Sequence, residues 1–97
     1  MSYKLSNLAQ NDLSQIWLYT LNKWSLTQAD RYYEDLLKGI SVICSNPAIG
    51  KSISEIKETH RVFKIKSHLI VYKVNQELIL VDRILHKRMD IENKLVE

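Results

Sequence analysis

Ionisable side chains crowd a short segment near the end of this sequence, directly after an apolar run typical of a buried strand. They are Arg83, His86, Lys87, Arg88 and Asp90. Together with Arg61, Arg83 and His86 could form a cationic pocket that holds a phosphate or carboxylate. The structural alternative is that Arg83 pairs with Asp82, Asp90 or a helix acid while His86 ends the strand with a hydrogen bond. From the residues alone, both interpretations are open.

Other patterns of catalytic or metal-binding residues do not occur. The sequence has no nucleophile elbow, phosphate loop or dinucleotide fingerprint. Its three histidines, at positions 60, 68 and 86, do not have the spacing of a zinc site. The single cysteine, Cys44, falls on a helical apolar stripe and is expected to be a small buried hydrophobe. We therefore expect no metal and no cofactor, and we expect His60 and His68 to be exposed without a role.

The composition predicts one folded domain over residues 1–97. Of the 97 residues, 45% are apolar, 26% are charged, two are glycine and one is proline, which excludes a disordered or low-complexity chain. The net charge is +3, and because residues 1–50 hold four basic and four acidic side chains, all of the excess lies in the second half. Such a surface attracts acidic partners. Each lysine taken singly is also explained as an ordinary residue on a solvated strand face, where lysine at a sheet edge discourages aggregation.

Two further features favour a cytoplasmic protein without membrane contact. The longest apolar runs are far shorter than the ~20 residues that span a bilayer, and the N-terminal residues show no hydrophobic targeting segment. One cysteine without an internal partner fits a reducing compartment.

The periodicity of the apolar residues predicts an α+β fold with the order β-α-α-β-β-β. A short strand over 3–6 precedes a helix that is capped by Asn7 and ends near Trp24, and a second helix begins at a Thr27 cap. Asn46 and Pro47 end the second helix, so the two helices form an αα-hairpin followed by a loop over 46–58.

Beyond the loop, an alternating pattern predicts a three-stranded antiparallel meander. Its strands are Thr59–Ile65, Leu69–Val74 and Leu78–His86, and a short helix is possible over 89–97. The third strand is expected to be central, to pair in parallel with the first strand of the chain, and to place Asp82 and Arg83 on opposite faces. The helical hairpin would cover one face of the sheet and leave the other partly open.

The sequence resembles ParE-type toxins of the RelE/ParE superfamily over nearly its whole length. The matching residues are Tyr3, Leu5, Ser6, Ala9, Asp12, Leu13, Ile16, Tyr19, Trp24, Gln28, Ala29, Tyr32, Asn46, Pro47, Gly50, Arg61, His68–Tyr72, Arg83–His86, Met89 and Asp90. The most specific part is the ending Arg-Ile-Leu-His-x-x-Met-Asp. Ser25 departs from the family, which usually has glycine there, and we expect only the turn between the helices to differ.

The resemblance implies the toxin of a bacterial type II toxin–antitoxin system, neutralised by a ParD-like antitoxin that supplies the DNA binding. It implies inhibition of DNA gyrase by a protein ligand rather than by an enzyme, with residues 83–97 as the toxic surface. The expected target-binding residues are Arg83, His86, Lys87, Arg88, Met89 and Asp90. The expected antitoxin-binding residues are Trp17, Tyr32, Arg61, Lys64 and Tyr72.

The alternative from the same superfamily is a RelE-like, ribosome-dependent mRNA endonuclease. Metal-free RNA cleavage needs a base, an acid and cations that stabilise the developing phosphorane charge. Arg61, Lys64, Arg83 and His86 are the candidate set. The RelE-like pattern usually has an aromatic residue after the last strand, where this sequence has Lys87 and Arg88, so gyrase inhibition is the preferred prediction.

Overall fold

The computed structural model describes residues 1–96, apart from the side chain of Val96, and confirms the predicted α+β order with one additional strand. Its elements are β1 (Ser2–Leu5), α1 (Asn7–Lys23), α2 (Leu26–Ser45), β2 (Lys51–Ser52), β3 (Arg61–Ile65), β4 (His68–Asn75), β5 (Leu78–His86) and α3 (Ile91–Val96). Glu97, the last residue of the predicted terminal helix and toxic surface, lies outside the described residues.

The strands form one five-stranded sheet in the order β1-β5-β4-β3-β2. As predicted, β1 pairs with β5 in parallel, and β3, β4 and β5 form an antiparallel meander in which β5 lies between two neighbours. The added strand β2 pairs with β3 inside the segment that was expected to be only a loop. Two residues are too few to show a period in sequence, so only the partner strand reveals β2.

The N-caps of both long helices differ from the predicted ones by one or two residues. Ser6, not Asn7, caps α1, because its hydroxyl accepts a hydrogen bond from the Ala9 N–H at 3.0 Å. Ser25, not Thr27, caps α2. The Ser6 N–H donates to the Val81 carbonyl on β5, so β-type pairing continues through Ser6 and the helix begins after it. Ser25 therefore serves as a cap where the resembling toxins usually have glycine.

Apolar residues cover both faces of the sheet. The main core lies between the helical hairpin and one face, and its largest fully buried side chains include Leu36, Ile40, Ile43, Ile70, Tyr72 and Ile79. Cys44 packs against this core as expected, but it is half-buried and not fully buried. On the face predicted to be partly open, Ile53, Val71, Leu85 and Leu95 form a smaller cluster. The loop before β3 and the helix α3 thus cover part of the second face.

An irregularity in β5 accommodates its two charged residues. The pairing shifts between Val71 and Tyr72, whose partners are Arg83 and Val81, so Asp82 is an extra residue of β5. Asp82 binds Lys57 in the loop over the second face, whereas Arg83 binds Asp12 on α1. The bulge therefore directs the two charged side chains to partners on opposite sides of the sheet.

The loop after α2 is attached to the sheet by a buried tyrosine. The Tyr72 hydroxyl donates to the Pro47 carbonyl at 2.7 Å and accepts from the Gly50 N–H at 2.9 Å. Burial raises the pKa of Tyr72, so the hydroxyl keeps its proton. A Cβ atom on residue 50 would lie 2.5 Å from the tyrosine oxygen, and only glycine fits this approach.

Ser6→Ala is expected to lower the free energy of unfolding by about 1–2 kcal/mol. The substitution removes the cap of α1 and also the hydrogen bond from the Ser6 hydroxyl to the Asp82 carbonyl. Urea unfolding followed by circular dichroism measures the change. Asn7→Ala is the matched control and should have little effect. A larger loss for Asn7→Ala than for Ser6→Ala would contradict the assignment of the cap.

Candidate functional site

An open groove of about 600 Å³ lies between the helical hairpin and the end of the sheet where β4 begins and β5 ends. Its wall is mostly apolar and aromatic. The residues that define it are Tyr19, Trp24, Tyr32, His68, His86 and Met89. Tyr19 and Trp24 are 63% and 66% exposed. Large aromatic side chains that remain this exposed around a groove are typical of a surface that binds another molecule.

Tyr32 and His68 form a short hydrogen bond at the bottom of this groove. The Tyr32 oxygen lies 2.6 Å from His68 Nδ1 and also accepts the Ser67 N–H at 3.2 Å. Because burial raises the pKa of Tyr32, the hydroxyl keeps its proton and donates it to His68 Nδ1. Burial, followed by the neighbouring His86, lowers the pKa of His68 to about 4. At neutral pH His68 is therefore uncharged and carries its proton on Nε2.

His86 extends this arrangement along the groove. It lies directly opposite His68 in the sheet register, and the two rings meet edge to face with centroids 5.2 Å apart. His86 Nδ1 accepts the Arg88 N–H at 3.1 Å, so a neutral His86 also has its proton on Nε2. This hydrogen bond at the strand end agrees with the structural alternative for His86. The groove can thus offer N–H donors between aromatic walls, which suits a ligand with carbonyl or carboxylate oxygens and apolar side chains.

Arg83 does not belong to a cationic pocket. Its guanidinium makes two hydrogen bonds to the carboxylate of Asp12, from Nε at 2.8 Å and from Nη2 at 3.0 Å. The same carboxylate accepts the Ile84 N–H at 2.9 Å. The Arg83 and Asp12 side chains are only 17% and 13% exposed. The helix acid among the structural alternatives is therefore the partner, and of the two open interpretations the structure contradicts the cationic pocket of Arg83, His86 and Arg61.

The candidate nuclease residues are also dispersed. Arg61 donates to the Gly50 carbonyl at 2.7 Å and pairs with Tyr72, four residues along β4 from His68. That separation along the strand is about 13 Å. Lys64 pairs with Leu69, next to the His68 position, so it lies on the opposite face from His68 and His86. These positions do not bring the candidate base, acid and cations to one point.

The predicted antitoxin residues occupy different environments. Tyr32 lies in the groove and Lys64 is exposed. Trp17 is half-buried and donates from Nε1 to Asp30 at 3.0 Å, which links α1 to α2. Tyr72 is fully buried beneath the loop that it holds, so its side chain is not on a docking surface. Its predicted contact with an antitoxin is corrected to a role in the core.

Of the predicted target-binding residues after β5, three are exposed on the surface and one has a structural contact with α3. Lys87, Arg88 and Met89 are exposed, and Met89 lies beside the groove. Asp90 accepts from the backbone N–H and the side-chain amide of Asn93 at the start of α3. The segment after β5 thus carries one wall of the groove and is attached to the second face of the sheet through α3.

Sequence reasoning missed two features of the groove and the burial of His60 outside it. Trp24, near which the first helix was expected to end, is 66% exposed and lines the groove, although no site role was predicted for it. His68 was expected to be an exposed turn residue, and its partner Tyr32 is 36 positions away in the chain. His60 was also expected to be exposed and is 5% exposed. No local signal identifies such pairs, because folding alone brings these residues together.

The fold is shared with a solved toxin–antitoxin structure. A chain of the structure described as the chromosomal ParDE TA system from P. aeruginosa superimposes with a TM-score of 0.78, covering 89% of this chain and 95% of its own length. The sequence identity is 17%, so this similarity supports the fold alone.

Sequence comparisons identify the family. Residues 3–91 match the family described as ParE toxin of type II toxin-antitoxin system, parDE. Toxin ParE1 of Mycobacterium tuberculosis (strain ATCC 25618 / H37Rv) is 38% identical over 94 residues, which are 96% of each chain. Toxin ParE1 of Caulobacter vibrioides is 31% identical over 91% of each chain, and Toxin ParE of Escherichia coli is 31% identical over 99% of this chain and 94% of its own. The chain belongs to the ParE toxin family of type II toxin–antitoxin systems.

Residues 1–96 lack two kinds of feature. None of their helices is long and apolar enough to cross a membrane. No group of three or more His, Cys, Asp or Glu side chains among them is arranged to hold a metal ion.

Asp12→Ala is expected to lower the free energy of unfolding by about 3 kcal/mol. The substitution removes the carboxylate from a mostly buried Arg83 and leaves the Ile84 N–H without its acceptor. Asp12→Asn should cost less, because one oxygen acceptor remains. Urea unfolding measures both changes, and Glu34→Ala, on the exposed side of α2, is the control. Equal stabilities of Asp12→Ala and the control would contradict this role.

Acidification is expected to destabilise the protein partly through His68. Its pKa falls from the ordinary 6.5 in the unfolded chain to about 4 in the folded protein, so the unfolded chain binds more protons between these values. Stability is therefore lost as the pH falls from about 6.5 to about 4, by on the order of 2 kcal/mol for this partly accessible ring. Unfolding free energies of wild type and His68→Gln across this range measure the effect. Identical pH slopes in the two proteins would refute it.

Proposed function

We propose that this protein is a cytoplasmic toxin that inhibits DNA gyrase and is neutralised by a ParD-like antitoxin. The observation that carries the proposal is the aromatic groove, which brings together Tyr32, predicted to bind antitoxin, with His86 and Met89, predicted to bind the target. Membership of the ParE family supports the toxin role. The ParDE name of the similarly folded structure supports a ParD-like partner.

The chemistry of the groove favours a protein ligand. Exposed Tyr and Trp side chains supply large contact areas with little rotamer freedom to lose, and such residues often dominate the energy of protein interfaces. The groove also has N–H donors in the imidazole rings for main-chain or side-chain oxygens. A partner that inserts one apolar side chain beside an oxygen acceptor satisfies both parts of the wall.

Lysines at the edge of the groove favour an acidic antitoxin segment. Lys23 Nζ lies 5.8 Å from the centre of the Tyr19 ring, and Lys66 Nζ lies 6.0 Å from that of Tyr32. Lys66 already forms an ion pair with Asp35 at 2.6 Å, which is solvent-accessible and can be exchanged at small cost. An amphipathic, acidic arm that folds on binding therefore complements this surface.

The shared groove offers a simple means of neutralisation. If antitoxin contacts Tyr32 and gyrase contacts His86 and Met89, the two partners need the same space, and bound antitoxin excludes the target. DNA would then be bound only through the antitoxin. The nuclease alternative has no comparable support, because Arg61, Lys64 and Arg83 do not converge on His86.

Trp24→Ala is expected to weaken antitoxin binding by about tenfold or more and to raise the concentration needed for gyrase inhibition. Trp24 is exposed, so its loss should leave the fold intact. Calorimetric titration with antitoxin and a gyrase supercoiling assay measure the two effects. Val42→Ala removes an exposed apolar side chain on α2 that does not line the groove and is the matched control.

The same assays test the function itself. The purified protein should block supercoiling or trap cleaved DNA on gyrase, and antitoxin should relieve the block in proportion to its occupancy. Translation extracts should show no new mRNA cuts. Codon-positioned mRNA cleavage with unaffected gyrase would reject gyrase as the target, and simultaneous binding of antitoxin and gyrase to one toxin molecule would reject a shared groove.

A further inference from the structure

A second concave site lies on the face of the sheet away from the helical hairpin. It encloses about 350 Å³, and its wall carries three lysines and one carboxylate, from Lys4, Lys57, Lys73 and Asp82. Leu80 contributes the apolar part of the wall, whereas the side chains of Leu5 and Val81, which also border the site, belong to the main core. The aromatic groove shares none of these residues, so the two sites are separate.

The register of the sheet brings two of the lysines together. Lys4 on β1 and Lys73 on β4 both pair with Leu80 on β5, so the three residues form one row across three strands. Adjacent strands are ~4.8 Å apart, which places the outer two backbones about 10 Å from each other. The next residues of β5, Ile79 and Val81, face the main core, and therefore both lysines extend from the other face. Neither lysine forms an ion pair within the described residues.

The third lysine comes from the loop and neutralises the carboxylate. Lys57 Nζ lies 2.7 Å from Asp82 Oδ2, and His60 Nε2 lies 3.5 Å from the same oxygen. The His60 ring is 5% exposed and donates from Nδ1 to the Glu58 carbonyl at 2.8 Å, which fixes its orientation. With Asp82 compensated by Lys57, the ammonium groups of Lys4 and Lys73 leave the site with an excess of positive charge.

We propose that this site binds the phosphate groups of a small organic phosphate. Ammonium groups are compact charges with three N–H donors each, and two of them on flexible stems, from backbones about 10 Å apart, can close on one phosphate or bridge two. The apolar wall beside them accepts the remainder of such a ligand, for example the base or sugar of a nucleotide. The volume of about 350 Å³ falls at the lower end of the range for small-molecule sites.

Phosphate chemistry accounts for this arrangement better than an acidic protein segment does. A phosphate group carries more negative charge than a carboxylate, and its three acceptor oxygens can accept hydrogen bonds from both lysines at once. A pocket bounded by four separate segments, β1, β4, β5 and the loop before β3, admits a compact anion more readily than an extended helix. A free nucleotide and a nucleic acid strand both present such phosphate groups, and separate titrations with each distinguish between them.

The test is a titration of the isotopically labelled full-length protein with sodium pyrophosphate, followed by amide NMR shifts. We expect saturable shifts at Lys4, His60, Lys73 and Leu80, with Tyr32 and His86 unaffected. The double variant Lys4→Gln/Lys73→Gln should bind about tenfold more weakly or worse. Arg31→Gln/Lys38→Gln changes the net charge equally at exposed positions of α2 and should retain wild-type affinity.

Several outcomes would overturn the proposal: shifts that do not saturate, shifts centred on the aromatic groove, or equal weakening in the two double variants. Two further arms identify the source. Adenosine diphosphate that shifts the same amides supports a free nucleotide, whereas a short DNA duplex that shifts them while adenosine diphosphate does not would overturn a small organic phosphate in favour of strand phosphates. A polyglutamate peptide that binds there more tightly than every phosphate probe would also reject the proposal.

Discussion

The carboxylate of Asp12 organises this protein, because it accepts three hydrogen bonds from β5 at the point where that strand is irregular. Two come from the Arg83 guanidinium and one from the Ile84 N–H. The bond to Ile84 satisfies a backbone donor, and the bonds to Arg83 pair a mostly buried charge. Since α1 carries Asp12 and also one wall of the groove, this contact sets the distance between that wall and His86 at the end of β5.

The bulge in β5 also separates the chemistry of the two faces. Arg83 is bound to the helical hairpin, so the groove on that side is lined by aromatic rings and neutral imidazole instead of free cations. Asp82 turns to the other side, where Lys57 and His60 gather around it and two further lysines extend from neighbouring strands. One extra residue in a strand thus gives the protein an aromatic, mostly apolar groove on one face and a lysine-rich pocket on the other.

The elements of the fold could be predicted because each depends on local pattern. The helical periods of α1 and α2 and the alternation in the meander are present in the structure. The parallel pairing of β1 with β5 is also present, but its prediction rested on a rule of strand topology and not on local pattern. The exact caps were misplaced, since Ser6 and Asn7 are both acceptable caps by residue type and the hydrogen bond from Ser6 to Val81 selects between them. The two-residue β2 could not be predicted, because it exists only through its pairing with β3.

By itself the sequence determined the family, the order of elements and the concentration of positive charge in the second half, because these follow from residue types and short-range spacing. Only the tertiary structure decided what the charged residues do. The residue type of Arg83 is compatible with binding either a ligand or a carboxylate of the protein. It binds Asp12, which lies 71 residues away in the chain, so only the folded structure identifies its partner. The same holds for Tyr32 and His68 in the groove and for Lys4 and Lys73 across Leu80. Such long-range contacts arise from packing and strand register, which local patterns do not encode.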